Sequence, residues 1–149
     1  MTDKLKTQAV LRPMEPEDIS AVLEIDRKIS GKKRAVTYMD LITGNLGGEL
    51  DLSFVADIQG QVCGFILARR AYIGEPVMEV GLIQILGVDP KYQRQGIATK
   101  LVNMMLETSK AKGLNYVRTM LNNRDSLLQE FFSRLNFRPG QLIDYTKTL

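Results

Sequence analysis

Leu86-Gly87-Val88-Asp89-Pro90-Lys91-Tyr92-Gln93-Arg94-Gln95-Gly96-Ile97-Ala98 is the stretch that decides how this chain folds. An apolar run, Val77 to Val88, stops at Asp89-Pro90, a turn signal. Polar residues and one glycine follow, and then a pattern with Ile97, Leu101 and Met105 on one side. This reads as strand, tight loop and helix, with Gly96 at the helix entrance. Such a junction gathers unpaired backbone N–H groups at the positive end of a helix. A phosphate is the natural occupant. Lys91 and Arg94 add positive charge beside it. A nucleotide P-loop is excluded, because the Gly-Lys-Ser/Thr ending is missing.

Working outward, the helix runs over Ile97–Lys112, with Lys110 and Lys112 in its last turn and Gly113 as its cap. Asn115–Leu121 reads as a strand. Asp125 N-caps a helix whose apolar side is Leu127, Leu128, Phe131, Phe132 and Leu135. Asn136 takes the left-handed position that ends it, and Phe137 onward returns to strand after a Pro139-Gly140 turn. Toward the N-terminus, Gln8–Arg12 is a short strand. Pro16 then opens a helix carrying Ile19, Val22, Leu23 and Ile29, stopped by Gly31. Arg34–Thr43 is a weaker helix, followed by a loose loop with Gly44, Gly47 and Gly48. Ser53–Ile58 and Gln61–Arg70 form a hairpin about Gln59-Gly60. The order is β-α-α-β-β-β-α-β-α-β, a mixed α/β sheet with flanking helices and a single domain over residues 1–149.

The chain has 149 residues, 20 Lys and Arg against 17 Asp and Glu, and a net charge of +3. That balance suits an anionic ligand and does not call for nucleic acid. The basic run Lys32-Lys33-Arg34, without interleaved aromatics, reads as a solvated loop. There is no histidine, which removes Ser–His and Cys–His catalysis and argues against a metal site. The single cysteine, Cys63, lies in an apolar run and reads as a buried, inert thiol. No apolar run is long enough for a membrane span and no signal peptide is seen, so a cytoplasmic protein is expected.

These segments resemble the GNAT superfamily of acyl-CoA-dependent N-acetyltransferases. Gln93-Arg94-Gln95-Gly96-Ile97-Ala98 matches the family's Gln/Arg-x-x-Gly-x-Gly/Ala loop. Leu86–Pro90 matches the strand leading into it, and Asp125–Phe137 matches the late helix that commonly ends in Tyr-x-x-x-Gly-Phe. The resemblance implies a mostly antiparallel sheet splayed at the cofactor site and acetyl-CoA as co-substrate. It implies that the amides of Gln93, Arg94, Gln95, Gly96, Ile97 and Ala98 wrap the coenzyme A pyrophosphate. Backbone groups of Leu86 and Val88 pair with the pantetheine arm like an added strand. Asp125 caps the late helix beside pantetheine, in a place where the family often has asparagine. Phe132 stands where the family often has a tyrosine acid, pointing toward the thioester sulfur. Family members carry a bulge on the central strand, and Gly87 is a permissive place for it. The family allows a homodimer.

The resemblance further implies transfer of an acetyl group to a primary amine of a small molecule or peptide. Leu82 and Met120 occupy places where other members carry a glutamate base. Glu79, in the entry half of the central strand, is the first candidate base. Gln84 is a candidate for positioning a water, and Tyr145 for replacing the lost acid. The same departures fit an alternative, a catalytically silent acyl-CoA-binding module. The acceptor has no motif.

Overall fold

The computed structural model describes residues 8–31, 37–42 and 49–149. One sheet contains five strands in the order β1 (Val10–Pro13), β2 (Phe54–Ile58), β3 (Gln61–Ile73), β4 (Met78–Val88) and β5 (Val117–Thr119). The first four are antiparallel, and β5 runs parallel to β4. The helices are α1 (Ile19–Ser30), α2 (Tyr38–Ile42), α3 (Ile97–Ala111) and α4 (Ser126–Arg134). The mixed α/β architecture matches the expected one.

Two apolar layers sandwich the sheet. On one face Ile66, Ala68, Ile83 and Val88 pack with Ile97, Leu101, Val102 and Met105 of α3 and with Phe132 of α4. On the other face Val55, Phe65, Leu67 and Ile85 pack with Ile19, Val22 and Ile25 of α1 and Leu41 of α2. This is the alternation a strand with two covered faces must show. Arg12 ties β1 to the start of α1, donating to both carboxylate oxygens of Asp18 at 2.8 and 2.9 Å. That contact holds the Asp18 carboxyl below its ordinary range.

The hairpin turn is as expected: Gln59 and Gly60 both have positive φ, 52° and 86°. That geometry matches the twist of the strands it joins. Pro16 opens a short 3-10 turn, Pro16–Asp18, and the α-helix proper begins at Ile19. The α4 end explains its own sequence. Phe137 N–H donates to the Phe132 carbonyl at 3.0 Å and Asn136 N–H to the Ser133 carbonyl at 2.9 Å, with Asn136 at φ 68°. The Phe132 and Phe137 rings meet edge to face at 5.0 Å. Phe-x-x-x-Asn-Phe is therefore a helix stop with its apolar clasp.

Several expectations are corrected. No strand follows α4 among the described residues; residues from Arg138 on are exposed and irregular. A strand needs a partner, and none of the described strands takes up this segment. The bulge is at Gln84, not at Gly87: Leu67 pairs with Ile85 and Ala68 with Ile83, leaving Gln84 as the extra residue. Gly87 is a glycine for another reason. A Cβ there would lie 2.8 Å from Phe65 Cε1 and 3.0 Å from Ile29 Cδ1, so the bare backbone lets α1 approach the sheet. The Lys32–Arg34 run and the Gly44–Gly48 loop lie outside the described residues, and the helix expected over Arg34–Thr43 is described only as Tyr38–Ile42.

Candidate active site

The bulge marks the place where β4 and β5 part. β4 pairs with β5 only over Gly81–Ile83 with Val117–Thr119. An extra residue bends and twists a strand. Past Gln84, β4 diverges from β5 and leaves an open edge. Before the bulge, Gly81 N–H donates to the Tyr116 carbonyl at 2.9 Å, and the Thr119 hydroxyl donates to the Ile83 carbonyl at 3.2 Å. Both residues face α3: Ile83 lies in its cluster, and a Cβ on Gly81 would meet Met105 and Ser109. In a strand of L-residues, the face a side chain takes is coupled to the edge its backbone addresses. Leu86 and Val88 again face the α3 layer, so their N–H and C=O groups turn to the open edge. Two contacts agree. Gln93 Nε2 donates to the Val88 carbonyl at 3.1 Å, while Asp89 N–H turns back to the Cys63 carbonyl at 2.8 Å.

The open edge runs into the loop. Asp89 accepts from Lys91 N–H at 3.0 Å and pairs with Lys28 Nζ of α1 at 3.0 Å. The Lys91 amide first, and the Lys28 ammonium with it, hold the nearly buried Asp89 carboxyl below its ordinary range despite desolvation. Unfolded, this group titrates near 3.9. Its stabilising contribution is therefore complete above that pH and lost as pH falls through the lower folded value. Thermal melts of wild type and Asp89→Asn should differ at neutral pH and converge as pH falls through the lowered folded value of Asp89.

Arg94 and Gly96 then both adopt positive φ, 65° and 79°, and Gly96 is the N-cap of α3. Glycine has no side chain to cap the helix, so the first amides of α3 stay open. Gln93, Arg94, Gln95 and Gly96 are exposed, and the space over Gly96 is empty to 4 Å. The six loop residues named from sequence follow Leu86 and Val88 in the chain, between the open strand edge and the N-terminus of α3.

The other candidates lie on β4, on α4 and its cap, and on the segment after α4. Asp125 caps α4, accepting from Leu128 N–H at 3.0 Å. Phe132 is 4% exposed, packed edge to face on Phe131 and Phe137. Glu79 shares the α3 face with Gly81, two residues before it. Its Oε1 lies 3.7 Å from Arg70, which also meets Asp51 at 3.5 Å. Tyr145 is 89% exposed on the segment after α4. Cys63 is fully buried and burial pushes its thiol up, which suits an inert core residue. Among the described residues no cluster of three or more acidic, His or Cys side chains is arranged for a metal ion, and no helix is long and apolar enough to cross a membrane.

Sequence reasoning missed Arg118, the central residue of β5. A charged residue in a strand with apolar neighbours was a visible signal, but its neighbours across the sheet were not.

A parallel pair, β4 and β5, parts beside a helix whose N-cap is Gly96. The acetyltransferase (GNAT) domain family matches residues 49–139, and the chain belongs to that family. An uncharacterized N-acetyltransferase of Methanocaldococcus jannaschii is 29% identical over 91 residues, 60% of this chain and 40% of that protein's length. An aminoglycoside acetyltransferase from an uncultured soil sample superposes with a TM-score of 0.73 at 18% identity, over 95% of this chain and 96% of that one. The diaminobutyrate acetyltransferase of Paenibacillus lautus, solved with its substrate and coenzyme A, gives 0.69 at 23% identity, over 87% and 75%. Another aminoglycoside N-acetyltransferase, solved with coenzyme A, gives 0.76 at 14% identity, over 95% of each chain.

Proposed function

We propose that this protein transfers an acetyl group from acetyl-CoA to a primary amine. The observation that carries this is the slot: a β4 edge at Leu86 and Val88 with no strand partner among the described residues, continuous with open amides at the Gly96 N-cap. The edge groups pair with the pantetheine amides as an added strand would. The α3 amides and Arg94 hold the diphosphate. The ring of Phe132, beneath the slot, supports the arm, and Asp125 keeps α4 in place beside it.

In the reaction the neutral amine nitrogen attacks the thioester carbonyl carbon. A C–N bond forms, the C–S bond breaks, and the amine proton is lost. A backbone N–H of β4 at Val88 stabilises the developing oxyanion. The amine must first lose its ammonium proton, with a pKa of roughly 10.4. Water at the bulge, beside Gln84, carries it away. The thiolate leaves unaided, since a thiol pKa of roughly 8.5 makes it a good leaving group. The ion pair of Glu79 with Arg70 on the α3 face supports a structural role for that carboxylate. Glu79→Gln and Tyr145→Phe should each keep kcat within about twofold of wild type, because neither is asked to move a proton in the transition state. A larger loss in either would put that residue back into proton transfer.

The deciding experiment is coenzyme A titration by calorimetry, followed by thiol release from acetyl-CoA over a panel of amines. Saturable binding and amine-dependent release are expected. Absence of binding defeats the slot. Tight binding with no release over the whole panel favours a silent acyl-CoA-binding module.

A further inference from the structure

The sheet face opposite α3 carries a cation with no ion-pair or hydrogen-bond partner among the described residues. Arg118 is in register with Leu82 of β4, and Leu82 with Arg69 of β3. Gly81 and Ile83 face α3, so Leu82 faces away from it, and its two cross-strand neighbours share that face. Strands lie about 4.8 Å apart. Two arginine stems therefore flank one buried leucine, at the β4–β5 pairing that immediately precedes the slot. Arg118 is half-buried. Its Nε is buried and has no hydrogen-bond partner. By contrast, Arg12, Arg27, Arg70 and Arg134 all meet carboxylates. The Arg118 terminal nitrogens sit against two glycines. An added Cβ would lie 3.8 Å from Nη2 at Gly74 and 3.4 Å from Nη1 at Gly140. The guanidinium is thus seated between the β3–β4 connection and the segment after α4, with no side chain crowding it from either glycine.

The Nε of Arg118 has lost water without gaining an acceptor among the described residues, which calls for a ligand. We propose that Arg118 binds a carboxylate of the acceptor, so that the acceptor is a primary amine carrying a free carboxylate. This rests on the acetyl-transfer reading above. A planar fork matches a carboxylate through two parallel hydrogen bonds. The Arg118 charge opposes a polycationic amine, so aminoglycosides and polyamines are poor acceptors here although aminoglycoside enzymes share the fold.

The test uses the full chain with acetyl-CoA and matched acceptors: lysine and short peptides, each beside its C-terminal amide, with phosphoethanolamine and spermidine. Carboxylate forms should exceed their amides by about tenfold or more in kcat/KM, the difference lying in KM, as loss of a charged hydrogen bond implies. Arg118→Gln should bring that ratio to about one. Arg118→Lys should fall between, having charge without the fork. A wild-type ratio near one, a preserved ratio in Arg118→Gln, or better use of spermidine overturns the assignment. Preference for phosphoethanolamine over every carboxylate transfers the site to phosphate and also overturns it. If Arg118→Gln fails to fold, the wild-type ratio and Arg118→Lys decide. A protein that binds no coenzyme A defeats the acetyl-transfer reading itself. One that binds it, yet neither acetylates nor binds any carboxylate-bearing amine by calorimetry, defeats the Arg118 assignment alone.

Discussion

Gly96→Val should raise the Kd for coenzyme A by about tenfold or more, at least 1.4 kcal/mol, in a protein that still folds. Two effects add. The N-cap of α3 holds φ at 79°, a left-handed conformation that costs a β-branched residue about 1–2 kcal/mol. Relaxing that strain swings the amides of Ile97 and Ala98 off their common target. The new side chain also enters the space over the helix entrance, where no protein atom lies within 4 Å of a built Cβ. That emptiness is why folding survives and why binding does not: the only group displaced is the ligand. Gly96→Ala shares the backbone strain with less bulk and should lose less. Calorimetry of both variants against coenzyme A measures the effect. Unchanged affinity in folded Gly96→Val would mean the diphosphate is held elsewhere.

Phe132→Ala should lower stability by about 3–5 kcal/mol, the usual range for a buried aromatic truncated to alanine. Phe132 joins α4 to the α3 layer, meets Phe131 at 5.1 Å between ring centres, and clasps Phe137 at the helix stop. Its loss leaves a cavity and opens that clasp together. Denaturant melts read the change directly, and a loss below about 1 kcal/mol would contradict this packing. Phe132→Tyr is the informative contrast. Phe132 is 4% exposed, so an added hydroxyl left without a partner should cost about 1–3 kcal/mol of stability, less than truncation to alanine. Turnover of the folded variant should change little, because thiolate departure is not limiting in the proposed mechanism. A large gain in kcat would show that the reaction lacks an acid and that this position can supply one.

Local signals carried most of the fold. The turn at Gln59-Gly60, the stops at Gly31, Gly113 and Asn136, and the Asp125 cap were legible because each depends on a few adjacent residues. The loop from Gln93 to Ala98 was legible for the same reason. The role proposed for it uses backbone amides at a helix start, and strand, glycine and helix are adjacent in the chain. The terminal strand was misread because an alternating apolar segment becomes a strand only where an edge receives it.

What the sequence by itself determined is the βαβ unit about Gly96 and the absence of histidine chemistry, both matters of residue type and short-range order. Tertiary structure alone decided where the sheet splays, since a bulge is a mismatch between Gln84 and the register of Leu67 and Ala68 on another strand. It decided that Glu79 meets Arg70, and that Arg69 and Arg118, 49 positions apart by their numbers, flank the same leucine. Side-chain face and partner depend on strand pairing, and pairing is settled by packing between segments distant in the chain.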